Sequence, residues 1–200
     1  VAARIFCQTR RASATRMVQR ALTAAENLEA VSFVKEWKAR SGAFALDASP
    51  GHTVETITAR THAWLARSEV KAYRTTKTPG FVVVDYIQLV SASGQRDMNK
   101  EQQTAHVSVW LHNLAMKLGI PILVLAQLNQ QGELRHSAQI GMDADVDMQI
   151  TYADATAEET YAAERFPSLV IRRARSSAPG KFDLKFTGEF FTFSEWRHGI

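Results

Sequence analysis

Met17, Ala21, Leu22, Ala25 and Leu28 recur at helical spacing and predict a helix from about Ala12 to Glu29. A second helical segment runs from roughly Val31 to Arg40 and ends at Ser41-Gly42, a plausible C-cap pair. AFAL, 43–46, reads as a short apolar strand closed by the turn residues DASPG. Thr53, with Glu55 shortly after, opens a third helix whose apolar face holds Ile57, Trp64 and Leu65. FVVV, 81–84, is continuously apolar, the pattern of a parallel strand buried on both faces. The polar, glycine-containing SASGQRDMNK then predicts a mobile loop. Val107, Trp110, Leu111, Leu114 and Leu118 make one stripe of a helix from about Glu101 to Leu118, stopped by Gly119 and Pro121. IPILVLAQ follows as a second buried parallel strand, which completes a strand–helix–strand unit.

From Val146 the pattern turns to alternation. VDMQITY, LVIRRAR, KFDLKF and FFTF follow one another, with SSAPG and TGE as turns, and predict antiparallel strands at one edge of the sheet. Neither an internal repeat nor a low-complexity linker interrupts the chain, so the reading is one α/β domain with a mixed sheet.

Composition narrows this without redirecting it. The 200 residues, 46% hydrophobic and 22% charged, suit one globular domain with a full core. No apolar run approaches the roughly 18 residues that a membrane helix needs. The opening VAARIFCQTRR lacks the pattern of a signal peptide. Cys7 is the only cysteine, which excludes an internal disulfide and fits a reducing, cytoplasmic compartment. A net charge of +4 leans weakly toward a polyanionic partner.

The candidate chemistry lies at strand ends. Ligands of open parallel α/β sheets bind beyond the carboxyl ends of the strands. Asp85 ends FVVV and Gln127 ends ILVLA, so both polar groups share one rim if the two strands are neighbours. An acid in that place holds Mg²⁺ in phosphoryl-transfer ATPases, and the glutamine would sense a γ-phosphate or orient a water. The bland alternative makes Asp85 a cap of the following turn. In LVIRRARSS, alternation puts Arg173 and Arg175 on one face and Arg172 on the other, beside a Gly/Ser/Pro turn. Two guanidiniums so spaced suit a phosphate. They equally suit a solvated edge strand whose cations block edge-to-edge pairing.

VVVDYIQLVSASGQRDMNKEQQ, LGIPILVLAQLNQQ, LRHSAQIGMDADVDMQI and LVIRRARSSAPGKFDLKFTGEFFTF resemble, in order, the motifs of the RecA-like motor domain of the DnaB family of replicative hexameric DNA helicases. ALDASPGHTVETITARTH resembles the family's segment before the magnesium-binding strand, and the likeness runs from about Phe44 to Phe193. It implies a RecA-like three-layer fold with a mixed, mainly parallel sheet and antiparallel C-terminal strands. It also implies ATP and Mg²⁺ as cofactors and ATP-dependent unwinding of duplex DNA by a hexameric homo-oligomer on single-stranded DNA. Primase and a helicase loader would be further partners, with no membrane. Asp85 then matches the Walker B aspartate, Gln127 the glutamine linking γ-phosphate state to the DNA-facing loop, and Arg175 an arginine finger directed at the neighbouring subunit's ATP. Arg173 stands where the family usually has lysine. Arg135, His136 and Ala138 match the loop that holds single-stranded DNA phosphates, although acid and glycine are usual where His136 and Ala138 sit. The loop from Arg96 to Lys100 would face the same channel, unless it is simply a surface loop.

Two family features lack a match. The phosphate-cradling P-loop, G-x-x-x-x-G-K-[ST], does not occur in residues 1–200; the one Gly-Lys pair, Gly180-Lys181, is followed by Phe182 in a hairpin. The catalytic glutamate should follow a strand read at ARIFC, where Gln8 or Thr9 stands instead, and neither is a base. The chain therefore reads either as a fragment without its P-loop strand and helix, the favoured expectation, or as a catalytically inactive single-stranded-DNA-binding or assembly relative. A recombinase of the RecA or RadA type ranks below both, because DYIQLV and the late PGKFDLKFTGEFFTF hairpin fit the helicases better. His106, His112 and His198 make no coherent ligand set.

Overall fold

The computed structural model describes residues 2–40, 43–74, 80–92, 98–129, 139–152 and 164–197. The helices are α1 (Ala2–Arg10), α2 (Ala14–Val18), α3 (Ala24–Arg40), α4 (Val54–Ala66), α5 (Ser68–Tyr73), α6 (Lys100–Leu118) and α7 (Gln139–Asp143). The strands are β1 (Val82–Val84), β2 (Ile122–Val124), β3 (Val146–Thr151), β4 (Glu164–Arg165), β5 (Ser168–Ala174), β6 (Gly180–Thr187) and β7 (Thr192–Glu195). Two compact units emerge: Val1–Ala39 with Asp145–Ile200, and Arg40–Ala144. The α/β class holds, with both parallel and antiparallel strands. Among the described residues the two kinds of pairing belong to separate hydrogen-bonded sheets, one in each unit.

The middle unit is the β1–α6–β2 crossover with α4 packed on it. β1 and β2 run parallel, Val82 opposite Ile122 and Val84 opposite Val124. Val82, Val84, Ile122 and Val124 pack with Val54 of α4 and with Val107 and Leu111 of α6 into one apolar cluster. The helix boundaries have chemical causes. Thr53 and Thr56 exchange side-chain and backbone bonds as a capping box at the start of α4, and Asn99 and Gln102 do the same for α6. Gly119, at φ 61, closes α6 in the left-handed conformation that glycine adopts without steric penalty. Gly80 enters β1 at φ +82, and a Cβ there would stand 3.0 Å from the Trp64 ring, so the backbone and the indole approach as only glycine permits.

Two expectations for this unit are corrected. FVVV is not covered on both faces: Val84 is buried, but Phe81 and Val83 are exposed, as are Leu123 and Leu125 after the crossover. Cover within this unit comes from helices on one face, and an apolar run does not reveal how many layers meet it. AFAL is not a strand. Residues 44–49 carry no regular structure; the Ala43 carbonyl instead accepts from the Trp64 indole N–H at 3.1 Å.

In the other unit, Phe6 and Cys7 of α1, Ala12, Ala14 of α2 and Phe33 of α3 form a buried cluster, with the Phe6 and Phe33 rings 5.6 Å apart. The Ala14 amide donates to the Glu189 carbonyl at 2.8 Å, which ties the helices to the turn between β6 and β7. Here too the sequence pattern misleads. ARIFC is the start of α1 and not a strand, since Phe6 and Cys7 bury together on one side of a helical turn. The single helix expected from Ala12 to Glu29 is two, separated by residues 19–23, with Arg20 at positive φ. The two predicted segments across Val31 are one continuous helix, α3. β3, β5, β6 and β7 form as the alternation predicts, antiparallel throughout.

Candidate functional site

β1 and β2 are hydrogen-bonded parallel neighbours, so the condition set by the sequence is met and Asp85 and Gln127 leave the same end of the pair. The ladder continues past the strands: the Leu125 N–H donates to the Val84 carbonyl and the Ile87 N–H to the Leu125 carbonyl, both at 2.9 Å. Asp85 is exposed, directly after the buried Val84, and the Asp85–Tyr86 peptide is cis. The chain then enters a 3₁₀ turn at Ile87–Leu89, whose N-cap is Tyr86 with no side-chain cap bond. That removes the capping alternative for Asp85. Within the described residues no hydrogen bond or ion pair engages its carboxylate.

Such a carboxylate suits magnesium, which keeps several waters and takes one or two carboxylates besides the phosphates of its substrate. No group of three or more His, Cys, Asp or Glu side chains converges among the described residues, so a metal cage built of protein ligands alone is not present there.

Gln127 is exposed, and its backbone is held from below by Gln88, a buried residue of the 3₁₀ turn that the sequence did not single out. The Gln88 Nε2 donates to the Gln127 carbonyl at 3.1 Å, and the Gln127 N–H donates to the Gln88 Oε1 at 3.2 Å. A buried primary amide has donors and an acceptor that must be satisfied, so a glutamine inside DYIQLV was the available signal.

Arg173 and Arg175 belong to the other unit. Arg175, exposed just past β5, donates its backbone N–H to the Asp145 carbonyl at 2.9 Å, and its guanidinium lies 3.0 Å from the Asp145 carboxylate. The strict alternation expected for the arginines is broken. Asp147 stands opposite Arg173 and Met148 opposite Ile171, a bulge that makes Arg172 the extra residue. The Arg172 guanidinium donates to the Gln149 Oε1 at 3.1 Å and lies 3.9 Å from Asp147. Lys100 is exposed as the first residue of α6. Arg96, Arg135, His136 and Ala138 lie outside the described residues, as does His198. Gln8 and Thr9, placed on a helix, do not end a strand. The Gln8 amide donates to the Phe191 carbonyl and the Thr9 hydroxyl to the Ile5 carbonyl.

A carboxylate and an amide leaving one end of paired parallel strands stand where open parallel α/β sheets bind their ligands. The model of the DnaB-like helicase C-terminal domain family matches residues 1–195, and the chain belongs to that family. It is 29% identical over 199 residues to the replicative DNA helicase DnaB of Haemophilus influenzae, covering 91% of this chain and 40% of that protein. It is 31% identical over 134 residues to the DnaB of Pasteurella multocida, covering 62% of this chain and 28% of the relative. The chain thus spans less than half the length of these curated relatives. Two solved structures share the fold at 20% identity. A DnaB-like replicative helicase studied with primase superposes with a TM-score of 0.75, over 96% of this chain and 46% of the other. A second, solved as an isolated ATPase domain, superposes at 0.72, over 98% of this chain and 70% of the other. The fold is therefore that of the RecA-like helicase ATPase domains.

Proposed function

We propose that residues 1–200 act as one motor domain of a ring-forming replicative helicase, which hydrolyses ATP to move along single-stranded DNA and unwind the duplex. One observation carries this: Asp85 and Gln127 leave the same end of two hydrogen-bonded parallel strands, with the Asp85 carboxylate free of hydrogen bonds and ion pairs among the described residues. One family model running over residues 1–195 supports treating them as a single domain.

In this reading Asp85 holds Mg²⁺, which supplies charge neutralisation to the phosphates of bound ATP. Gln127 presents its amide to the γ-phosphate or to the attacking water and passes the change to the chain beyond β2. Arg175, with Arg173 beside it, reaches the ATP of a neighbouring subunit, where a guanidinium stabilises charge that develops as the phosphoryl group leaves. Arg135, His136 and Ala138, with Arg96 and Lys100, face single-stranded DNA. Cationic side chains and backbone amides bind phosphates without reading sequence, which suits a translocating motor. The working assembly is a hexameric homo-oligomer in the cytoplasm, with primase and a loader as partners. No described helix is long and apolar enough to cross a membrane.

The test is turnover by the full-length protein with Mg-ATP and single-stranded DNA. Arg175→Ala is expected to lower DNA-stimulated kcat by about a thousandfold or more, with nucleotide binding held within a fewfold. Retained turnover would remove the finger assignment. A non-catalytic DNA-binding module is favoured by one observation, the absence of a G-x-x-x-x-G-K-[ST] pattern within residues 1–200. It predicts salt-sensitive binding to single strands with no dependence on nucleotide; binding that needs ATP and Mg²⁺ contradicts it.

A further inference from the structure

Gln88 does something its neighbours in DYIQLV do not. Beyond Val84 the backbone of β1 leaves the ladder and folds into the 3₁₀ turn, and the Ile87 N–H bond to Leu125 is the last backbone bond between the two segments among the described residues. At that point the Gln88 side chain takes over. Its primary amide is a chemical copy of a peptide unit, with an N–H donor and a carbonyl acceptor. It donates to the Gln127 carbonyl and accepts from the Gln127 N–H, as the next residue of a paired strand would. Gln88 is only 7% exposed, and its chain neighbours Ile87 and Val90 belong to the buried cluster, so its amide meets Gln127 away from competing water. The backbone of residue 127 is thereby pinned to the segment that carries Asp85, three residues away along the chain.

We infer that Gln88 is a positioning residue for the reaction: a side-chain extension of the β1–β2 ladder that fixes Gln127 relative to Asp85. The inference rests on the reading that Gln127 acts on bound nucleotide. Without the clamp, residue 127 keeps its place in sequence but loses two of the bonds that set the height and direction of its Cα–Cβ vector. A misplacement of about an ångström at a reacting centre costs on the order of a hundredfold in rate. Binding of ATP draws on phosphate contacts that Gln88 does not touch, so it should be spared.

Gln88→Met keeps the length and apolar stem of the side chain and removes both bonds; Gln88→Asn keeps the amide and withdraws it by one methylene. Both are made in the full-length protein and compared with Gln127→Ala and with the Gln88→Met, Gln127→Ala double variant. Each single Gln88 variant should lower DNA-stimulated kcat by about tenfold to a hundredfold, with KM for ATP within about twofold. In the Gln127→Ala background Gln88→Met should produce no further loss of kcat, because its effect passes through the residue already removed. Hydrogen exchange supplies a readout that is independent of activity. The Gln127 amide should exchange about tenfold faster in Gln88→Met, while the Leu125 amide, bonded to the Val84 carbonyl, stays protected.

Wild-type kcat in both Gln88 variants would overturn the inference, as would losses that multiply in the double variant, since a residue that merely supports the core lowers activity whatever stands at 127. Unchanged exchange at Gln127 would overturn the clamp itself. If Gln127→Ala turns over normally while Gln88→Met still speeds exchange at 127, the clamp is real but the role of Gln127 at the nucleotide is not.

Discussion

At the scale of single residues, an acid at the end of an apolar strand was legible because burial and charge conflict there, and the structure resolves the conflict by leaving the carboxylate outside. Gln127 was legible for the same reason. Gln88 was not, because a glutamine within an apolar run looks like a surface position until its partner strand is known. Glu26 is a second residue whose role the apolar spacing hid. Thr23-Ala24-Ala25-Glu26 is a capping-box sequence: the Thr23 N–H donates to the Glu26 carboxylate at 2.8 Å and the Glu26 N–H to the Thr23 hydroxyl at 3.2 Å. The Thr23 N–H bond, with help from the Thr23 hydroxyl and from Arg16, holds the Glu26 carboxyl below its usual value of 4.5. A carboxylate whose pKa falls on folding stabilises the native state above its unfolded pKa, and that stabilisation is lost as the pH drops through the folded one. Glu26→Gln should therefore lower Tm at neutral pH, with the gap to the wild type closing progressively below about pH 4.5. A gap that stays constant from pH 7 to pH 3 would show that the charge of Glu26 plays no part.

At the scale of elements, periodicity located α6 to within a residue and found α4, β2 and the antiparallel strands β3, β5, β6 and β7, because each has a clear apolar face or alternation and a strong stop such as Gly119; the two-residue β4 is too short to show alternation. It failed at the start of the chain. Ile5, Phe6 and Cys7 form a short apolar run that suits a strand or a buried helical turn equally, and only tertiary contact with Phe33 decides between them. It failed again at AFAL, where four apolar residues find no hydrogen-bonding neighbour strand among the described residues. The bulge at Arg172 is likewise invisible to alternation, which assumes an unbroken register. The caps carry measurable weight. Thr53→Ala removes the hydroxyl that accepts from the Thr56 N–H at the start of α4 and should destabilise the protein by about 1 kcal/mol. Urea unfolding with an unchanged m-value would read this as a shift in midpoint; a midpoint within error of the wild type would mean that solvent replaces the cap at no cost.

At the scale of the whole molecule, family membership carries what the separate elements cannot. The strand-end pair sits in Arg40–Ala144, while the arginines sit in the unit made by the two ends of the chain. In the proposed ring motor the two sets take different roles: one holds the nucleotide of its own subunit and the other completes the site of the next. A net charge of +4 fits a domain that follows a phosphate backbone, although a charge of that size is too small to identify the partner. The order of motifs along the sequence was the stronger signal, since it depends on relative position and not on any one residue.

The most direct test of this account is steady-state ATP hydrolysis by the full-length protein, with Mg²⁺ and with and without single-stranded DNA, for the wild type and Asp85→Asn side by side. The account predicts wild-type turnover that single-stranded DNA accelerates, and loss of that turnover to background in Asp85→Asn with thermal stability unchanged. Asp85→Asn turning over like the wild type would contradict it, as would a wild-type protein that binds single strands but hydrolyses no ATP.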